Sequence, residues 1–327
     1  MILAATEENI SKAAAVIRAG GVVAFPTETV YGLGANALSD AAVRSIYAVK
    51  ERPRTNPLIV HIADFAAIGS VAQIENPETL RRLNALKAFW PGPLSVVLPK
   101  QPGISSIATA GSDTVAVRIP AHPCCQAIIK AAGVPIAAPS ANAFAAISPT
   151  TAEHVAESLG DKIDLIIDGG PCRVGLESTV LSLVESTPRI LRPGAVTKEQ
   201  LTEALGEVHT EKLRLDEETP QLSPGLLKRH YAPKTPLRFR SNFDESNLPE
   251  RTGLISFGEP ENRSAFYRVL VLPEDDLSEA ARNLFKALHE LDHANLDLIL
   301  VDRCNESGIG AAIMDRLNRA VDNDDTK

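Results

Sequence analysis

Seven apolar runs of five to seven residues, rich in Val and Ile, recur through the first 184 residues of the 327-residue chain. They are GVVAF (21–25), PLIVHI (57–62), LSVVLP (94–99), TVAVRI (114–119), VPIAA (134–138), DLIID (164–168) and STVLSLV (178–184). Runs this short and this apolar suit strands covered on both faces, and the stretches between them carry helical periodicity instead. The predicted helices are SDAAVRSIYAVK with Ser39 as N-cap, PETLRRLNALKAF, and TTAEHVAESLG, where Thr150 is the expected N-cap and Glu153 closes a capping box. Alternation of this kind restricts the chain to a mixed α/β fold.

From 206 to 236 the sequence GEVHTEKLRLDEETPQLSPGLLKRHYAPKTP loses that periodicity and gains charge, which reads as a linker. The pattern then resumes as PLRFR, TGLISFG, FYRVLVLP, a helix from Leu277, LDLILVD and a final helix from about Ile309. This βαβ order predicts a second, smaller parallel sheet. The expected organisation is a large domain over 1–208, a linker over 209–236 and a small domain over 237–327.

No apolar run approaches the roughly 18 residues of a membrane span, and the N-terminus lacks the basic start of a signal peptide, so a cytoplasmic protein is expected. The net charge of −8 argues against a dedicated nucleic-acid coat, and the four cysteines show no metal-binding spacing, so protein-bound zinc is not expected.

FPTETVYGLGANA (25–37) follows the first strand at its carboxyl end, where open α/β sheets bind ligands. Gly32, Gly34 and Ala37 fit G-x-G-x-x-A, with Glu51 further on. However, PTETVY intervenes before the glycines, and a dinucleotide site needs them directly after the strand. HELDH (289–293) matches a zinc-protease pattern, but a helical wheel gathers Leu277, Ala281, Leu284, Leu288 and Leu291 into one stripe and points His289 and His293 to solvent. No G-x-x-x-x-G-K-[ST] or G-x-S-x-G occurs. Four other loops are richer. KERPRTN supplies Lys50, Arg52, Arg54 and Asn56 between stiffening prolines; APSANAFAAISPT supplies Ser140, Asn142, Ser148 and Thr150; GGPCRVGLEST supplies Arg173, Glu177 and Ser178; RILRPGAVT supplies Arg192. Arginines and short hydroxyl donors recurring at separate loops suit a small polyanionic ligand.

FPTETVYGLGANA, KERPRTNPLIVHI, FWPGPLSVVL, VAVRIP, APSAN, GLESTV and LRPGAVT, in this order, resemble the YrdC-like family. SPGLLKRHYAP and the small C-terminal domain resemble its long, two-domain form. The resemblance implies a twisted, mixed α/β domain around a central cavity, a Rossmann-like parallel α/β second domain, and a linker that closes over the cavity. It also implies a nucleotidyltransferase that makes threonylcarbamoyl-AMP from ATP, L-threonine and bicarbonate, releasing pyrophosphate and water, with Mg²⁺ accompanying the ATP. The product would go to a transferase complex that modifies tRNA, with weak direct tRNA contact at most. A tRNA-binding module without catalysis is the alternative.

Carried over by motif, the threonine site falls on Thr29, His61, Arg118, Ala138 and Ser178. The ATP site falls on Arg52, Asn56, Thr114, Ser140, Asn142, Ser148, Arg192 and Tyr231, with Lys50 and Arg52 as the catalytic cations. One departure stands out: the family's SANxSG is SANAFAA here, with Phe144 and Ala145 replacing Ser and Gly, which predicts an altered path beyond Asn142.

Overall fold

The computed structural model describes residues 1–210 and 230–321. Ten strands form one mixed sheet: β1 (Ile2–Ala4), β2 (Val23–Phe25), β3 (Gly32–Asn36), β4 (Ile59–His61), β5 (Leu94–Pro99), β6 (Thr114–Arg118), β7 (Ile136–Ala137), β8 (Leu165–Asp168), β9 (Thr179–Ser182) and β10 (Arg189–Arg192). Their spatial order is β1-β8-β2-β3-β7-β4-β6-β5-β9-β10. All seven apolar runs become strands; LSVVLP is kept whole as β5 and the other six are trimmed at one or both ends.

The period-2 alternation of the central strands sorts their side chains into two sets. Val60, Val96, Val117 and Leu181 face a core shared with α2 (Asp40–Lys50), α3 (Pro77–Leu86), α5 (Ala152–Leu159) and α6 (Lys198–Leu205). The alternate residues Ile59, Val97, Ala116 and Val180 form a small apolar floor on the opposite face. Continuing along those strands, His61, Ser95 and Arg118 stand on that second face, and the register pairs Arg118 with both of the others. Nearer β2, the helices α1 (Glu7–Arg18) and α4 (Pro123–Ala132) cover the sheet through Ala14, Ile17, Cys125 and Ile128.

Strand β3 was not among the expected strands, because GLGAN contains no β-branched residue. Gly34 serves packing: a Cβ there would lie 2.3 Å from the Phe25 ring and 2.7 Å from Ile136. The expected cap of α5 also needs correction. Thr151, not Thr150, accepts the hydrogen bond from His154 N, and Thr150 is buried against the His154 ring.

The second sheet contains β11 (Leu237–Phe239), β12 (Thr252–Phe257), β13 (Arg268–Leu272) and β14 (Leu298–Val301), in the order β11-β14-β12-β13 with every pairing parallel. Helices α7 (Leu277–Asp292) and α8 (Gly310–Ala320) cover one face. Their apolar stripe buries Leu284, Phe285, Leu288 and Leu317 in a cluster that also contains Val30, Ile147 and Leu176 of the first lobe. The two lobes therefore share a core. At this seam Gly175 has φ +77°, and a Cβ there would lie 2.4 Å from the Arg282 carbonyl oxygen, so only glycine fits.

The shared core overturns the solvent-facing placement of His289. Its ring is 9% exposed, donates through Nε2 to the Ser148 carbonyl at 3.2 Å and stacks on His154 with centroids 3.8 Å apart. The wheel located the stripe facing the helix's own sheet but not the first lobe, which covers the next face.

Candidate active site

A cavity open to solvent lies over the second face of the large sheet. Nine of the fourteen site residues assigned by motif line it: Thr29, Arg52, His61, Arg118, Ala138, Ser140, Ser178, Arg192 and Tyr231. Most come from strand ends and the adjoining turns; Arg52 follows α2 and Tyr231 comes from the linker.

Each wall has a local cause. Thr27 donates to the Val30 carbonyl at 2.6 Å and lies 2.8 Å from the Thr29 hydroxyl, so this pair of threonines fixes the turn after β2. Helix α2 ends at Glu51 in a left-handed conformation (φ 55°), which reverses the chain and delivers Arg52. Arg52 then donates to the carbonyls of Asn56 (3.1 Å) and Pro57 (3.0 Å). Burial pushes its pKa down to about 10, so the guanidinium remains charged at neutral pH. Arg192 donates to the Ser178 carbonyl at 2.9 Å and its hydroxyl at 3.3 Å, and Ser178 in turn meets Ser95 at 2.8 Å.

Arg118 forms a buried ion pair with Glu28 at 2.6 Å, and the second Glu28 oxygen accepts from Ala121 N at 3.0 Å. Burial raises the Glu28 pKa, but the Arg118 charge and these hydrogen bonds outweigh it, and the net shift is downward. Beside them, burial and the Arg118 charge push the His61 pKa down to about 3, so the imidazole is neutral at physiological pH.

The other five predicted residues do not line the cavity. Lys50 is fully buried and donates to the carbonyls of Ser140 (2.7 Å) and Asn142, so it grips the Ser140–Asn142 loop from behind. Burial, with Arg52 nearby, lowers its pKa well below the usual lysine range. Asn142 donates to the carbonyls of Ala143 and Ala146, and Ser148 donates to Glu177. Thr114 bonds Ser112 at 2.8 Å and lies about 13 Å along β6 from Arg118 on the same strand face. Asn56 is fully buried.

In the altered SANAFAA loop, Ala145 occupies the left-handed region (φ 62°) and Phe144 packs edge-on against His230. Of the linker, Lys228 and Arg229 lie outside the described residues, whereas His230 and Tyr231 reach the cavity. Sequence reasoning assigned no role to Thr27, Glu28, Glu177 or His230. Glu28 and Glu177 stood in the quoted motifs, but their partners lie 90 and 139 residues away.

Among the described residues, the buried side-chain atoms without a hydrogen-bond partner are both amide atoms of Asn56, Nδ1 of His61, Oδ1 of Asn142, Nδ1 of His230 and Oη of Tyr231. Nearly all buried polar groups in folded proteins are paired, so a set of orphans in and beside one cavity marks a place where a ligand supplies the partners.

Fold and site together define an α/β ligand-binding protein whose pocket is built for a small anion beside a second polar group. The family described as telomere recombination, Sua5–YciO–YrdC, matches residues 15–194, and the family described as threonylcarbamoyl-AMP synthase, C-terminal domain, matches residues 196–321. The chain belongs to the Sua5–YciO–YrdC family. A threonylcarbamoyl-AMP synthase of Bacillus subtilis (strain 168) is 42% identical over 98% of this chain and 94% of its own length. One of Pyrococcus abyssi (strain GE5 / Orsay) is 43% identical over 96% and 94%. The crystal structure of P. abyssi Sua5 complexed with L-threonine superposes with a TM-score of 0.88 at 41% identity, covering 98% of this chain and 99% of that one.

Proposed function

We infer that this chain is a threonylcarbamoyl-AMP synthase, joining ATP, L-threonine and bicarbonate and releasing pyrophosphate and water. The observation that carries this reading is the cavity itself, with three buried arginines and unpaired polar atoms, in a chain that matches such synthases along its whole length.

In this reading L-threonine sits at the β4–β6 end. The Arg118 guanidinium, held by Glu28, takes the carboxylate through its free edge, because a planar fork suits a planar anion. Thr29, Ser178 and neutral His61 offer hydrogen bonds to the threonine hydroxyl and amine, and the Ala138 backbone closes the pocket. A pocket that pairs the hydroxyl rejects analogues lacking it.

ATP extends toward Arg52 and Arg192, with Asn56, Thr114, Ser140, Asn142, Ser148 and Tyr231 around it. The threonine amine takes up CO₂ derived from bicarbonate, and a carbamate oxygen then attacks the α-phosphorus as pyrophosphate leaves. The obstacle is repulsion between two anions, which Arg52 and Arg192 offset at fixed positions with no reorganisation during the step. Lys50 would act by holding the Ser140–Asn142 loop. Mg²⁺ entering with ATP would be carried mainly by phosphate oxygens, with the Ser140 hydroxyl as the cavity oxygen suited to a hard cation. Once bound, it would neutralise charge on the leaving pyrophosphate. Supply of the product to a tRNA-modifying transferase, in the cytoplasm, belongs to the same proposal.

The test is to incubate the protein with ATP, Mg²⁺, bicarbonate and L-threonine and to seek the threonylcarbamoyl adduct of AMP by mass spectrometry, omitting each component in turn. Adduct only in the complete mixture is expected. No adduct, or one that forms without L-threonine, overturns the reading.

A further inference from the structure

Among the described residues, the largest fully buried side chain belongs not to the cavity but to α8 of the second lobe: Arg316, 1% exposed. Its guanidinium is spent on the first lobe. Nε donates to Glu177 Oε2 at 2.8 Å, Nη2 to the Glu177 carbonyl at 3.3 Å and Nη1 to the Pro193 carbonyl at 2.9 Å. Its carbon also stands 5.4 Å from the Tyr231 ring. Asp315 accepts from the same Nη1 at 2.8 Å.

These partners are walls of the cavity or adjoin them. Glu177 and Tyr231 line it, and Pro193 follows the lining residue Arg192. The remaining Glu177 oxygen accepts from the Ser148 hydroxyl, while the Ser148 carbonyl accepts from His289 on α7. Ser148 is thus held at both its polar ends by the second lobe, once directly and once through Glu177. Among the described residues that line the cavity, Glu177 is the one carboxylate. Left alone, it would repel an entering polyphosphate and could turn into the cavity; paired with Arg316, it presents no net charge and one fixed geometry.

We propose that Arg316 is a positioning residue for the reaction: from the second lobe it neutralises and orients Glu177 in the cavity wall, and through Glu177 it fixes Ser148 behind that wall. This rests on the reading of the cavity as the ATP and L-threonine site. It gives the second lobe a part in shaping the site itself.

A buried ion pair with only a structural role makes a different prediction. Removing one charge of such a pair is strongly destabilising, whereas removing both often is not. The full-length chain is therefore compared as wild type, Arg316→Lys, Arg316→Met, Glu177→Gln and the Arg316→Met/Glu177→Gln double variant. Melting temperature, kcat and the separate KM values for ATP and L-threonine are measured through pyrophosphate release. Arg316→Met is expected to melt well below wild type and the double variant close to it, with the ATP KM in the double variant still raised at least tenfold and the L-threonine KM much less affected. Arg316→Lys keeps the charge without the fork and is expected to lie between, so the result does not depend on Arg316→Met folding. A double variant with wild-type melting and wild-type kinetics overturns the proposal. Ser140→Ala and Arg118→Met, assayed alongside, separate the two possible failures. If they lose activity while the double variant keeps it, the proposal falls alone; if they too keep it, the cavity is not the site and both fall.

Discussion

In the second lobe Thr252 donates to the Pro249 carbonyl at 2.7 Å, Ser256 to Asp302 at 2.7 Å, and Arg316 finds four acceptors. In the first lobe Asn56, His61 and Asn142 are as deeply buried, yet each keeps at least one polar atom without a partner. Burying an unpaired polar group costs about 1–3 kcal/mol, so the first lobe carries a penalty that the second avoids. The contrast separates a lobe shaped for a ligand from one shaped for rigidity, and it assigns different outcomes to similar substitutions.

The largest effect is expected at Arg118→Met. Glu28 would be left charged and buried, lowering unfolding stability by about 3–5 kcal/mol. Adding Glu28→Gln should restore most of that stability without restoring L-threonine binding. Chemical denaturation and calorimetric titration of the two variants check it. Full recovery of binding in the double variant would show that Arg118 braces the pocket without touching the ligand.

The next effect is in pH. Unfolded, His61 and His289 take a proton near pH 6.5; folded, neither does until about pH 3. For His289 the causes are burial first and then the stacked His154, with the Ser148 bond and Asp292 opposing. Between those values the unfolded chain holds the extra protons, so stability falls as pH drops through that window. The slope is up to about 1.4 kcal/mol per pH unit for each imidazole, or about 2 kcal/mol each between pH 7 and 5. Urea denaturation at pH 7 and 5 should show this loss, and His61→Asn and His289→Asn should each remove about 2 kcal/mol of it, the rest staying with groups such as His230, whose pKa burial and the Arg52 charge also lower. A loss unaltered by either change would place the titrating groups elsewhere.

The smallest effects test the contrast most directly. Asn56→Leu removes an unsatisfied amide and should stabilise the ligand-free protein by about 1 kcal/mol while raising the ATP KM. Thr252→Val breaks a satisfied bond and should destabilise by about 1 kcal/mol with kinetics unchanged. Thermal melts and initial rates suffice. The same sign of stability change in both would dissolve the distinction between the lobes.

Much of this was legible in the sequence. Val- and Ile-rich runs identify strands because both sheet faces must be filled, and the loops after them carry the arginines and hydroxyls that meet in the cavity. Strand β3 escaped because Gly32 and Gly34 carry no apolar side chain to read, and the space that Gly34 leaves is visible only once Phe25 and Ile136 are in place. Lys50 was assigned to chemistry by its motif, whereas its ammonium is committed to two backbone carbonyls. His289 and Arg316 were missed for a common reason: periodicity identifies the face of a helix that meets its own sheet, and both side chains serve a surface supplied by the other lobe.

The separation in sequence between the residues that meet in the cavity also bears on how the protein is made. Closing a loop has to be completed before the distant contact it permits can return any free energy. Glu28 waits for Arg118, Ser95 for Ser178 and Glu177 for Arg316. A nascent chain that has formed its first strands therefore has no competent pocket, and ATP meets a working site only after the whole fold has assembled.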